Sequence, residues 1–225
     1  MRIGLFGGTF DPIHIGHLRA GEEVWEALGL DEVRFVPAFL PPHKRRGDLT
    51  PFGHRLAMVE RAVAGVGHLV ASAVEAERSG PSFSVETLAG LRAGLGPGPR
   101  FFFILGDDAF CDIESWKDYR RLTRYADLVV MGREADRERV AAVIARAFPL
   151  HRPAGPDRFE AAGEGGVRLL PVTRLSVSGT DIRRRLAAGR SIRYLVPGPV
   201  LRYIEDNGLY RAGDGPGLPE GPAHP

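Results

Sequence analysis

Short apolar runs recur along the chain, at Arg2 to Phe6, Val33 to Pro37, His68 to Ser72, Arg100 to Leu105, Asp127 to Met131 and Val167 to Pro171. Most are too continuously apolar to leave one face in water, so they read as buried parallel strands. Between them the pattern becomes helical. Leu18, Gly21, Val24, Trp25 and Leu28 share one face, as do Leu56, Val59, Ala62 and Val63, and again Val140, Val143, Ile144 and Ala147. This alternation predicts an α/β fold, a Rossmann-like doubly wound parallel sheet, and the right-handed crossover rule prunes the other topologies. Ligands of such sheets bind beyond the carboxyl ends of the strands, where the loop after the first strand would lie. Segment 149–166, rich in Pro, Gly and Ala, is expected to be a surface excursion. Residues 212–225 hold four glycines and four prolines with almost nothing apolar, so a disordered tail is expected after a single domain spanning 1–211.

Composition narrows the class. A chain of 225 residues that is 44% hydrophobic can bury one sizeable core. The net charge of +2 is small, but arginines cluster at 120–124 and 183–193, which favours phosphate-bearing ligands. Without a long basic stripe, nucleic acid is not expected as a partner. Cys111 is the single cysteine, so an internal disulfide and a thiolate metal site are both ruled out, and a reducing, cytoplasmic setting is expected. No run approaches the roughly 18 apolar residues of a membrane span, and the N-terminus does not read as a signal peptide. A homo-oligomer is compatible with all of this.

The chemistry begins directly after the first strand, at Gly7-Gly8-Thr9-Phe10-Asp11-Pro12-Ile13-His14-Ile15-Gly16-His17, with an amphipathic helix following at once. Glycines let the backbone approach a ligand, and a helix start adds unpaired N–H groups and a positive dipole end. A phosphate is the expected guest. His14 and His17, three apart at that start, can reach the same group. A zinc site would need a third ligand at suitable spacing, and the sequence offers no obvious one, so no protein metal ligand is assigned. Asp11 and Pro12 read as turn formers.

These eleven residues resemble the signature of the nucleotidyltransferase superfamily that shares a His-x-Gly-His motif with class I aminoacyl-tRNA synthetases. The resemblance implies that Gly7, Gly8, Thr9, Phe10 and Gly16 surround the ATP phosphates, and that His14 and His17 stabilise the α-phosphate under attack. A second superfamily motif is matched by Val177-Ser178-Gly179-Thr180-Asp181-Ile182-Arg183. Here Ser178 can cap a helix, Thr180 lies among its first donors, and Arg183 presents a planar fork suited to leaving pyrophosphate. Many relatives carry a second Ser where this chain has Gly179.

The middle of the chain narrows the resemblance. Glu77-Arg78-Ser79-Gly80-Pro81-Ser82-Phe83-Ser84-Val85-Glu86-Thr87-Leu88, then Ile104-Leu105-Gly106-Asp107-Asp108, then Trp116, are similar in order and spacing to the nicotinate-nucleotide adenylyltransferase family. Relatives often have Tyr and Thr at the positions of Phe83 and Ser84. The resemblance, which runs from residue 2 to about 211, implies that Trp116 stacks on the pyridine ring while Thr87 and the backbone N–H of Lys117 meet its carboxylate. It further implies that Gly106 and Asp108 take ribose hydroxyls, and that the loop Pro41-Pro42-His43-Lys44 brings His43 and Lys44 to the nucleotides, with Arg133 a further candidate. Asp107 is a possible helix cap, and plain core filling is the alternative for Trp116.

The implied reaction is direct in-line attack by the 5′-phosphate of nicotinate mononucleotide on the α-phosphorus of ATP, with Mg²⁺ carried by the triphosphate. Two enzymes are rivals: an adenylyltransferase for nicotinamide mononucleotide or phosphopantetheine, which shares both phosphate motifs, and a tRNA synthetase fragment, suggested by the His-Ile-Gly-His string. The first lacks the 77–88 block, and the second would need a Lys-rich signature that this chain lacks. A nucleotide-sensing module on the same fold is the non-enzymatic reading.

Overall fold

The computed structural model describes residues 1–41, 49–77, 80–133 and 136–211. His43, Lys44 and the 212–225 tail therefore lie outside the described residues. The apolar runs become β1 (Arg2–Gly8), β2 (Glu32–Pro37), β3 (Leu69–Ala71), β4 (Arg100–Gly106) and β5 (Asp127–Gly132), and the last becomes β8 (Val167–Pro171). All six are parallel, in the order β3-β2-β1-β4-β5-β8, and β1 pairs with both β2 and β4. The order reverses between β1 and β4, so the carboxyl ends of these two strands bound a crevice.

Residues alternate across the sheet as period two requires. Ile3 and Leu5 of β1 join Phe101, Phe103 and Leu105 of β4 in one core layer. Phe6 joins Phe102 and Ile104 in the other. The first layer is covered by α3 (Ser84–Leu95), α4 (Asp107–Cys111) and α5 (Arg137–Ala147), the second by α1 (Ile15–Leu28), α2 (Phe52–Val63), α6 (Gly179–Ala187) and α7 (Gly198–Asp206). Helix α1 sits close to the sheet because Gly21 has no side chain: a Cβ there would lie 2.7 Å from the Phe35 ring.

Two features differ from the sequence pattern. Within 149–166 the chain forms a hairpin, β6 (Arg152–Gly155) and β7 (Arg158–Glu160), which pairs antiparallel on the β8 edge. Every residue of β6 is exposed, so no apolar alternation marked it. Buried Val85, Thr87, Leu88 and Leu91 make 84–95 a helix, an element hidden within the stretch that the sequence presents as a motif.

Candidate active site

β1 runs out at Gly8, and the next residues turn sharply into α1. Phe10 takes a positive φ of 49°, a conformation that costs a non-glycine residue about 1–3 kcal/mol. Its ring is buried against Phe6, Phe35 and His17. The Phe10 side chain is thus core, and only its backbone remains for a ligand. Gly8 permits this: a Cβ at that position would come within 2.9 Å of the Phe10 ring.

His14 is the N-cap of α1, and its backbone N–H donates to Nδ1 of His17 at 3.2 Å. The two imidazoles stack with centroids 3.6 Å apart. An accepting Nδ1 fixes the neutral tautomer of His17 with its proton on Nε2. Burial lowers the His14 pKa from 6.5 to about 4. Burial, then the charge of His14, hold His17 well below its ordinary value too. Both are neutral at pH 7.

Helix α6 starts beside α1. Ser178 is its N-cap, the hydroxyl accepting from Asp181 N at 3.1 Å. Cβ atoms would come within 3.0 Å of Val177 at position 16 and within 2.7 Å of the Asp11 carbonyl oxygen at position 179, so the two glycines set how closely the helix starts approach. Arg183 donates through Nη1 to that carbonyl at 2.6 Å and through Nη2 to Thr180 Oγ1 at 3.3 Å. The structure thereby brings together the phosphate loop, His14, His17, Ser178, Thr180 and Arg183.

Between the ends of β1 and β4 lies a cleft of about 290 Å³, whose walls include Gly7, Gly8 and Thr9 on the phosphate-loop side, Phe83, Ser84 and Val85 at the start of α3, and Gly106, Trp116 and Lys117. Trp116 is half-buried and meets Phe103 edge to face. The Lys117 ammonium pairs with Glu86 at 2.6 Å and lies over the Phe83 ring. Thr87 is not part of the wall. It is buried one turn into α3, and its hydroxyl donates to Glu75 Oε1 at 2.8 Å and to the Phe83 carbonyl at 3.3 Å. Ser84, at the first position of the helix, does line the cleft, as do the hydroxyl residues Thr9, Ser82 and Ser115.

Gly106 is the N-cap of α4 and lines the cleft. Asp107, expected as a possible cap, is instead buried and paired with Arg139 at 2.6 Å and Arg174 at 3.4 Å, leaving Asp108 79% exposed at the strand end. Arg133, just past β5, donates to Asp136. Among the described residues no three His, Cys, Asp or Glu side chains converge as a metal site.

A family model described as Cytidylyltransferase-like matches residues 5–185. The probable nicotinate-nucleotide adenylyltransferase of Pseudomonas syringae pv. tomato is 43% identical over 219 residues, 97% of each chain. That of Pseudomonas fluorescens is 45% identical over 213 residues, 94% of this chain and 98% of its own. The chain belongs to the nicotinate-nucleotide adenylyltransferase family. The fold agrees: the Plasmodium falciparum nicotinic acid mononucleotide adenylyltransferase complexed with NaAD superimposes with a TM-score of 0.71, at 21% identity, covering 93% of this chain and 97% of that one.

In this adenylyltransferase several residues behind the site went unmarked by sequence reasoning. Asp11, read as a turn former, is buried, and its carboxylate accepts from Tyr210 Oη at 2.6 Å and Thr50 N at 3.3 Å. Arg55 is 1% exposed and donates to the carbonyls of Thr9, Thr50 and Phe39. Glu75 lines the cleft while bonded to Thr87 and to Phe39 N. Arg55 left a usable signal, a charge one turn before Met58 and Val59 on an otherwise apolar helix face.

Proposed function

We propose that the enzyme transfers the AMP moiety of ATP to nicotinate mononucleotide, giving nicotinate adenine dinucleotide and pyrophosphate, as a step of NAD biosynthesis. A 5′-phosphate oxygen of the mononucleotide attacks the α-phosphorus in line. The bond from that phosphorus to the oxygen bridging to the β-phosphate breaks, and pyrophosphate leaves with the electron pair. Such chemistry needs positioning and charge stabilisation more than a protein base. The observation that carries this reading is a cleft lined by Phe83, Phe103 and Trp116 and by Gly7, Gly8 and Thr9 of the loop after β1, a loop that continues into the start of α1, against which the start of α6 packs.

At the phosphate end, Nε2–H of neutral His17 and the imidazole of His14 act on the α-phosphate, with backbone donors of Gly7, Gly8, Thr9, Phe10 and Gly16 around the triphosphate. Ser178, Thr180 and Arg183 take the pyrophosphate, the start of α6 adding its dipole. At the other end Trp116 stacks on the pyridine ring, and the carboxylate meets the first turn of α3, the Lys117 N–H and the Ser84 hydroxyl. Ser84 replaces Thr87 in this role because the Thr87 proton is already committed to Glu75. Gly106 and Asp108 take the ribose, and Arg133, His43 and Lys44 remain candidates for nucleotide phosphate, the last two on sequence grounds alone. The donor-rich surroundings of the phosphate loop suit phosphate oxygens better than a bare cation, so Mg²⁺ arrives with ATP and shields its charge. The lone Cys111 supports a cytoplasmic setting.

The test is to incubate purified protein with ATP, Mg²⁺ and either nicotinate or nicotinamide mononucleotide and to quantify dinucleotide chromatographically. With the Lys117 N–H and the Ser84 hydroxyl as donors to it, the carboxylate is favoured over the amide by roughly ten- to a hundredfold in kcat/KM. Equal use of the two substrates, or no dinucleotide from either, would overturn the assignment.

A further inference from the structure

Arg183 is useful to a leaving pyrophosphate only if its fork is held still, and one of its nitrogens is spent on doing so: Nη1 donates to the Asp11 carbonyl at 2.6 Å. What holds Asp11 comes from far along the chain. Tyr210, four residues past the end of α7, is partly buried against the core with a positive φ of 66°, and its phenol donates to Asp11 Oδ1 at 2.6 Å. The other carboxylate oxygen accepts from Thr50 N at 3.3 Å. From the opposite side the buried guanidinium of Arg55 grips the Thr9 carbonyl at 2.8 Å and the Thr50 carbonyl at 2.9 Å. Residues 9–11 are therefore clamped at two points, and the peptide that anchors Arg183 is the second of them.

We propose that Tyr210 is a positioning residue which, through Asp11, fixes the Arg183 guanidinium for the departing pyrophosphate. The phenol touches no substrate. Its hydrogen bond sets the orientation of the Asp11 residue, hence of its carbonyl, hence of the fork that receives the developing charge. Gly179 belongs to the same arrangement, since its missing side chain lets α6 carry Arg183 up to that carbonyl. A bond made solely to orient a transition-state donor affects kcat more than substrate affinity. The inference rests on Arg183 acting on pyrophosphate.

The experiment is a double-mutant cycle on the full chain with Tyr210→Phe, which removes one hydroxyl, and Arg183→Ala. Tyr210→Phe is expected to lower kcat by about tenfold, a misplacement effect, with KM for the mononucleotide within about twofold of wild type. In the Arg183→Ala background it should cost nothing further, because the group it orients is gone. A purely structural phenol would lower the melting temperature, leave kcat unchanged in assays well below that temperature, and overturn the proposal. Multiplicative losses in the double variant would overturn it too. Should Arg183→Ala turn over like wild type, the pyrophosphate assignment falls and this proposal with it; loss there with none in Tyr210→Phe removes the proposal alone. Asp11→Ala, which removes the acceptor of the phenol, is a second arm with the same expected cycle if Tyr210→Phe proves insoluble.

Discussion

His14 and His17 lie ring on ring at 3.6 Å, and two imidazolium charges at that spacing would repel by roughly 4 kcal/mol even at an effective dielectric of about 20. Neutrality, and with it a defined Nε2–H donor on His17, follows from the packing. His17→Ala should lower kcat by roughly 10²- to 10³-fold with a much smaller change in ATP affinity, as expected for a donor that acts on charge developing in the transition state. Near-normal turnover would remove the assignment. The same burial has a cost in acid. The folded His14 pKa, about 4, lies below its ordinary 6.5, so above 6.5 this histidine makes no pH-dependent difference. As pH falls through that window the unfolded chain takes up a proton that the folded chain refuses, and about 3 kcal/mol of stability is lost. Chemical denaturation between pH 7 and 4.5 should show that decline, and His14→Gln should make it shallower while buried His17 keeps its own share; an unchanged slope would mean the His14 imidazole is not held neutral by burial. At the cleft, Ser84→Ala should narrow the preference for nicotinate over nicotinamide mononucleotide. Thr87→Ala should leave the ratio alone and destabilise the fold by about 1–3 kcal/mol, because buried Glu75 loses a donor. The histidines and glycines were legible in the sequence because their spacing is itself the motif. The burial of Thr87 was not, since Ser84 and Thr87 are both hydroxyls in one motif and only the starting point of α3 decides which of them lines the cleft.

At the scale of elements, what the sequence made plain was whatever buries an apolar face. The six parallel strands are nearly continuous apolar runs, α5 buries the stripe that its periodicity marks, and α1 buries Gly21, Val24 and Leu28 of its stripe with Leu18 and Trp25 partly buried beside them. α2 shows the limit. Its expected face was Leu56, Val59, Ala62 and Val63, whereas the fully buried set is Arg55, Met58, Val59 and Val63, rotated to bury a guanidinium that satisfies three carbonyls. A hydrophobic count cannot see that rotation, because it assigns every arginine to solvent. α6 is the other instructive case. Only Ile182 of this helix is fully buried, so its place depends on its first turn, Ser178 capping Asp181 N and Gly179 approaching Asp11. Arg183 reaches back from that turn with Nη1 on the Asp11 carbonyl and Nη2 on the Thr180 hydroxyl. Arg183→Lys should therefore be impaired by about tenfold or more although its charge is kept, because an ammonium cannot hold the Asp11 carbonyl and make two parallel bonds to phosphate oxygens. If lysine restores full activity where alanine does not, the residue supplies positive potential and nothing directional.

For the whole molecule, the strand order places β1 inside the sheet between β2 and β4, so the loop after it emerges where helices from both faces can reach it. The C-terminal end uses this access. After α7 the chain passes through Gly208 and Leu209 to Tyr210, which closes on Asp11 from a sequence distance of 199 residues. Apolar periodicity does not report such a link, since a tyrosine near the end of a chain looks the same whether it docks or not. It does make a sharp boundary testable. Residues 212–225 have almost no apolar side chains with which to dock, so a chain ending at Arg211 should keep wild-type activity and a melting temperature within about 2 °C. Ending the chain at Leu209 instead removes the phenol from its buried carboxylate and leaves that charge with one donor fewer. Turnover should then fall by at least the roughly tenfold expected of losing the hydroxyl alone, and the melting temperature by several degrees, because a hydrogen bond to a buried charge contributes about 1.5–3 kcal/mol. Activity and thermal unfolding of the two truncations, measured side by side, place the functional end of the chain between Leu209 and Arg211. A chain ending at Leu209 that behaved like wild type would show that the link to Asp11 contributes neither stability nor turnover.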